Sequence, residues 1–136
     1  MVGTCNESIW REKLISLLEI DYFNPVVEDW TEECMEEERR QRNICDYCVY
    51  VITPLMTGVY SIAEVIDDSN KQPEKTIFCF LEDDLQNARN VNGFIRKNFS
   101  YGQIKSLDQV GKMVQRNGGK YFKTLEEIAD YLNGGV

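Results

Sequence analysis

Residues 46–71, DYCVYVITPLMTGVYSIAEVIDDSNK, predict a buried strand, a short loop and a helix. Residues 47–52 form an almost unbroken apolar and β-rich run, which is typical of a strand covered on both faces. Pro54 ends this strand, Gly58 permits a sharp turn, and residues 60–69 then follow a helical pattern. In a parallel sheet, ligands bind beyond the carboxyl ends of such strands, so this stretch predicts the place of a site.

Glu64 falls in the early turns of that predicted helix. Because the helix starts where its strand ends, Glu64 is expected at the mouth of the site. The helix dipole stabilises an ionised carboxylate near a helix N-terminus, and such a carboxylate, when half-buried, can act as a nucleophile. The alternative for Glu64 is a solvated residue on the surface of the helix.

Apolar runs and helical patterns alternate along the rest of the chain. They predict strands near 21–25, 75–81 and 120–122, and a short strand at the N-terminus, with amphipathic helices between them. This alternation implies right-handed β-α-β units. The sequence therefore predicts a single α/β domain over residues 1–136, with a three-layer, parallel sheet of about five strands and helices on both faces.

The predicted helices have recognisable first residues. Asp29 or Thr31 is expected to cap the second helix, Ser106 the helix before the last strand, and Thr124 the final helix. Residues 85–105 are irregular and rich in Asn and Gly, with apolar groups that show no periodic face. We expect part of this segment to cover the pocket or to pack on another subunit.

The overall charge restricts the partners of the protein. The 136 residues carry a formal net charge of -8, which repels the phosphates of a nucleic-acid polymer but is compatible with one small nucleotide in a local pocket. No apolar run approaches the roughly 20 residues that span a bilayer. Residues 1–8 lack the basic and apolar regions of a signal peptide. We therefore expect a cytoplasmic protein without a membrane partner.

The chain has five cysteines and no histidine. The absence of histidine excludes His-based triads and most zinc sites. We expect neither a metal nor a cofactor. Cys45 and Cys48 are spaced as in redox motifs, which leaves a redox protein as a weaker alternative. They precede a strand rather than a helix, which favours ordinary buried thiols.

Three groups of residues carry a family resemblance. They are GTCN at 3–6 with WR at 10–11, YFNPVV at 22–27 with DW at 29–30, and TPLMTGVYSIAE at 53–64. Their order and spacing resemble the nucleoside 2-deoxyribosyltransferase family, in particular its smaller branch. The resemblance covers about the first 80 residues.

The resemblance implies a flavodoxin-like domain that cleaves or transfers at the N-glycosidic bond of a (deoxy)nucleoside or nucleotide. Glu64 would attack the anomeric carbon of the sugar, and Asp46 would help to hold the substrate and handle the proton on the base. The family also implies a homodimer or larger homo-oligomer. The expected substrate-binding residues are Gly3, Thr4, Asn6, Asn24, Thr57, Gly58, Tyr60 and Ser61.

Gly58 departs from the family pattern. Many members carry an Asp six positions before the nucleophilic Glu, where it holds sugar hydroxyls, and Gly58 occupies that position here. Sugar contacts are then expected from Thr57, Tyr60 and Ser61. Because fold alone does not determine function, the alternative is a non-catalytic nucleotide- or sugar-binding module on the same fold.

Overall fold

A computed structural model describes residues 1–3, 8–22, 24, 31–90 and 93–134 of the chain. Six strands and five α-helices lie in these ranges. The strands are β1 (Val2–Gly3), β2 (Cys48–Ile52), β3 (Thr76–Phe80), β4 (Asp83–Asn90), β5 (Gly93–Asn98) and β6 (Lys120–Phe122). The helices are α1 (Trp10–Leu17), α2 (Glu32–Ile44), α3 (Tyr60–Lys71), α4 (Tyr101–Arg116) and α5 (Leu125–Leu132). No helix in the described ranges has the length and apolar character that crossing a membrane requires.

Four of the described strands form an all-parallel sheet in the order β1-β2-β3-β6. In the register of this sheet, Val2 lies opposite Tyr50, Tyr50 opposite Phe78, and Phe78 opposite Tyr121. Helices lie between β1 and β2, between β2 and β3 and between β3 and β6 along the chain, as parallel pairing requires. The architecture is α/β and consistent with a flavodoxin-like fold.

The two faces of the sheet bury separate hydrophobic cores. Side chains alternate along β2, so that Val49 and Val51 face one core and Tyr50 and Ile52 face the other. The first core includes residues of α1 and α5, and the second includes residues of α3 and α4. All five residues of β2 are buried, which confirms the prediction of a strand covered on both faces.

The predicted strand near 21–25 is not found among the described residues. Asp21, Tyr22 and Asn24 lie outside the strands, and Phe23 and Pro25 fall outside the described ranges. Asp21 and Tyr22 are exposed. The segment 21–25 ends in Asn-Pro and has few apolar residues that a sheet could bury. The described parallel sheet accordingly has four strands instead of about five.

Residues 85–105 contain regular structure that the sequence pattern did not predict. Strands β4 and β5 pair antiparallel, from Asp83 opposite Asn98 to Asn90 opposite Gly93, with a register shift between Gln86 and Arg89. Such a hairpin forms a separate two-stranded sheet. Its register shift interrupts the simple alternation of a strand, so the sequence of the segment shows no regular period.

Helix α4 begins six residues earlier than predicted, at Ser100 instead of Ser106. The Ser100 hydroxyl accepts a hydrogen bond from the Gln103 amide at 3.2 Å, and the Gln103 side chain accepts one from the Ser100 amide at 2.9 Å. This capping box satisfies two backbone donors at the helix start. Thr31 and Thr124 cap α2 and α5, which confirms the prediction for those helices.

Gly111 allows α4 to pack on the Tyr121 ring. A Cβ atom at this position would lie 2.4 Å from Tyr121 Cε2, whereas a Cβ at Gly102 in the same helix meets no atom within 4 Å. We expect Gly111→Ala to destabilise the fold by about 1 kcal/mol, since overpacking of about 1–3 kcal/mol exceeds the helix preference for Ala. Gly102→Ala should instead stabilise it slightly. Urea unfolding of both variants tests this, and a stabilised Gly111→Ala protein would contradict it.

Candidate functional site

Two neighbouring strands of the sheet, β1 and β2, are followed by helices that pack on opposite faces. After β1 the chain forms α1, whose Trp10 and Leu14 lie in the first core. After β2 it forms α3, whose Val65 lies in the second core. In an open parallel sheet, ligands bind in the crevice at such a topological switch point. The carboxyl ends of β1 and β2 are therefore the candidate site.

Glu64 lies on α3, the helix that follows β2, and is buried, with 9% of its surface exposed. One turn later on the same face, buried Asp68 accepts a hydrogen bond from the Tyr50 hydroxyl, in the middle of β2. Because α3 runs back along the sheet, Glu64 lies closer than Asp68 to the carboxyl edge. Glu64 is in the second turn of α3, where the helix dipole is weaker than the sequence prediction assumed.

Four predicted site residues surround the start of α3. Thr57, Gly58 and Tyr60 are exposed, and Ser61 is half-buried. A Cβ built on Gly58 would meet nothing within 4 Å, so this position has room for a larger side chain. The structure brings these four residues together at the end of the loop that leads to Glu64.

Gly3 is held by the sheet. It pairs with Val51, and its carbonyl oxygen accepts a hydrogen bond from Arg11 Nη2 at 3.2 Å. The Arg11 guanidinium, itself buried, lies 4.4 Å from the centre of the Trp10 ring. The WR pair of the sequence pattern therefore supports the end of β1.

Three predicted substrate-binding residues remain, and only Asn24 lies within the described residues. Thr4 and Asn6 lie outside the described residues. Asn24 is half-buried, and its Oδ1 atom is buried without a hydrogen-bond partner among the residues that the structure describes. Asn24 Oδ1 is thus available as a polar contact.

Asp46 lies at the other edge of the sheet. It is exposed and precedes the first residue of β2, Cys48, whereas α3 and Glu64 follow the last residue of that strand. A five-residue strand spans about 16 Å. The structure therefore does not bring Asp46 and Glu64 together within one chain.

A cleft at the carboxyl edge was not predicted from the sequence. It has a volume of about 660 Å³ and lies over the ends of β3 and β6 and the starts of α1 and α5. The acidic segment that follows the apolar run of β3 was the one signal that could have indicated it. Its charged lining residues are Lys13, Glu82, Asp83, Lys105, Asp108, Lys123 and Glu126.

Several of these charges are already paired. Lys13 Nζ lies 3.1 Å from Glu126 Oε1, and Lys112 Nζ lies 3.1 Å from Asp108 Oδ2. Tyr121 donates a hydrogen bond to Asp108 Oδ1 at 2.9 Å. Hydrogen bonds from Lys112 and Tyr121 lower the pKa of Asp108, and desolvation is the main cause that raises the pKa of Tyr121. These ion pairs and hydrogen bonds neutralise part of the charge in the cleft. A ligand would therefore meet fewer unpaired charges there.

The cysteines of the described chain are free thiols. Cys45 Sγ donates a hydrogen bond to Gln41 Oε1 at 3.2 Å. Burial raises the pKa of Cys79 to about 12, so this thiol stays protonated and unreactive at neutral pH. Among the described residues, no three Cys, Asp or Glu side chains form a group that could hold a metal ion.

The carboxyl ends of β1 and β2 thus adjoin a helix with a buried Glu64 and a preceding loop with exposed polar groups. The described cleft over β3 and β6 is not lined by Glu64. Comparison with known proteins adds no relative: no protein-family model, no curated protein and no solved structure matches the chain.

Proposed function

We propose that the protein cleaves or transfers at the N-glycosidic bond of a (deoxy)nucleoside or nucleotide, with Glu64 as the nucleophile. The observation that carries this proposal is the buried Glu64 carboxylate on α3, just beyond the carboxyl end of β2, at the topological switch point. The resemblance of residues 3–64 to nucleoside 2-deoxyribosyltransferases supports it, and we propose membership of that family and its homo-oligomeric assembly with it.

The proposed reaction has two steps. A Glu64 oxygen bonds to the anomeric carbon while the bond from that carbon to the base breaks, and its electron pair leaves with the base, which takes up a proton. The glycosyl ester is then attacked at the same carbon by water or by a second base. This releases the Glu64 carboxylate and completes hydrolysis or transfer.

Asp46 has no part in this scheme within one chain, because it lies at the amino edge of the sheet. The proton for the leaving base must come from water or from a group at the carboxyl edge. The resemblance implies that role for Asp46, which within one chain lies about the length of β2 away from the carboxyl edge.

The competing function is a binding module for nucleotides or sugars. Gly58 favours the binding module. Many family members hold sugar hydroxyls with a side chain at this position, whereas Gly58 has none and the space around it is open. A protein with this departure could bind the substrate without orienting its sugar for attack.

The two functions are separated by incubating the protein with deoxynucleosides, ribonucleosides, their 5′-monophosphates and NAD. Free base is measured by chromatography, and binding by calorimetry on the same compounds. Release of base from any compound, with more base formed than protein present, supports the enzyme. Binding of a compound without release of base supports the binding module.

Gly58→Asp is expected to increase base release from a deoxynucleoside by about tenfold, equivalent to about 1.4 kcal/mol of transition-state stabilisation. The open space at Gly58 lets the new carboxylate reach the start of α3 without a clash. Gly58→Asn has a similar size without the charge and is the matched control. Initial rates at saturating substrate are compared, and an equal increase in both variants would show that the carboxylate is not responsible.

A further inference from the structure

The amino edge of the sheet has a cleft that the proposed function does not use. It has a volume of about 520 Å³ and lies between the starts of β1 and β2, the C-terminal half of α2 and the end of α1. Pockets for small ligands generally have volumes of about 300–1,000 Å³. The cleft is therefore large enough for a small organic molecule, and β2 separates it from Glu64.

Large apolar side chains in this cleft are exposed to solvent. The exposed fractions are 41% for Ile20, 53% for Tyr22, 58% for Ile44 and 39% for Tyr47. The Tyr47 ring packs edge-on against Tyr131, with 5.7 Å between the ring centres, which holds it in place. Exposed apolar groups that share one concave surface favour a bound molecule with an apolar body.

The charged side chains in the described lining are all acidic. Asp21, Glu38 and Asp46 line the cleft, whose described lining contains no Lys or Arg. Burial is the main cause that lowers the pKa of the Met1 amino group in the same cleft, and this favours its neutral form. The described lining therefore carries a net negative charge, without lysines like the three that offset the acidic residues of the carboxyl-edge cleft.

We propose that this cleft binds a small organic cation, an ammonium group on an aromatic or aliphatic body. The ammonium group is attracted by the three carboxylates and by the faces of Tyr22 and Tyr47, while the apolar body covers Ile20 and Ile44. An anion would be repelled by the same carboxylates. A neutral apolar molecule would gain the burial but not the electrostatic attraction.

The test is a titration of the protein with benzyltrimethylammonium, followed by amide NMR. Benzyl alcohol is the neutral match and benzenesulfonate the anionic match. We expect shifts confined to the amides around Tyr22 and residues 44–48, an affinity at least tenfold higher than for benzyl alcohol, and no localised binding of benzenesulfonate. Equal affinity for the cation and the alcohol, or shifts spread over the surface, would overturn the proposal.

Single substitutions test the contribution of the carboxylates. Glu38→Gln and Asp46→Asn should each weaken binding of benzyltrimethylammonium by about fivefold, equivalent to about 1 kcal/mol. Glu74→Gln removes one exposed carboxylate outside the cleft lining and should leave the affinity unchanged. Equal weakening in all three variants would mean that only the net charge matters. Binding of a Lys-rich peptide without binding of benzyltrimethylammonium would also reject the small cation, in favour of a protein partner.

Discussion

Glu64→Gln is expected to reduce base release from the best substrate by about a thousandfold or more, while the substrate still binds within a few-fold of wild type. The amide keeps the size and much of the hydrogen bonding of the carboxylate but cannot form the glycosyl ester. Glu64 is buried on α3, so the substitution alters no exposed surface charge. Single-turnover rates measure the chemical step, and calorimetry measures binding.

Two carboxylates of the same stretch serve as comparisons. Asp67 is on α3 but exposed, paired with Lys71 at 3.1 Å, so Asp67→Asn controls for the loss of a charge on this helix. Asp46→Asn should reduce base release far less than Glu64→Gln, since Asp46 lies at the other edge of the sheet. A full rate in Glu64→Gln would show that the nucleophile is another group. A thousandfold loss in Asp46→Asn would support a role contributed across a subunit interface.

Gly3→Ala is expected to destabilise the fold by about 3 kcal/mol or more. A Cβ at Gly3 would lie 1.7 Å from the carbonyl oxygen of Val51, and the φ angle of +141° is one that L side chains rarely adopt. The clashing oxygen belongs to the backbone of β2 and cannot move aside as the end of a flexible side chain can. The pairing of β1 with β2 must therefore break or shift. The free energy of unfolding in urea measures the effect.

Gly134→Ala separates the two causes. Gly134 also has a positive φ, of 83°, but a Cβ there meets nothing within 4 Å. We expect a cost of about 1 kcal/mol from backbone conformation alone. If Gly3→Ala and Gly134→Ala destabilise the protein equally, the close approach to Val51 contributes nothing. Loss of activity in Gly3→Ala would then report on a substrate contact instead of the fold.

The central strand and helix were predictable from the sequence because their signals are local. The run in β2 is apolar at every position, and the pattern that begins at Tyr60 repeats with helical spacing. The strands near 75–81 and 120–122 were confirmed for the same reason, as β3 and β6. The apolar run of a buried strand and the spacing of apolar residues in a helix both lie within a short segment. They can therefore be read directly from the sequence.

The errors occurred where a local signal was weak or overlooked. The prediction placed the cap of α4 at Ser106, but Ser100 has a Gln three residues later and forms the reciprocal bonds. The β4–β5 hairpin has an irregular register, so its sequence lacks the simple alternation of a strand. Closer attention to the Ser100 and Gln103 pair would have found the start of α4, whereas no capping pair marks the hairpin.

The residues alone predict an α/β chain with a parallel sheet and place Glu64 after its central strand, because alternation and burial patterns are properties of short segments. Tertiary structure decided which candidates meet. It placed α1 and α3 on opposite faces, brought Gly3 against Val51, and put Asp46 at the other edge from Glu64. Such relations depend on strand register and on the side to which each connection turns, and these follow from contacts between residues far apart in the chain.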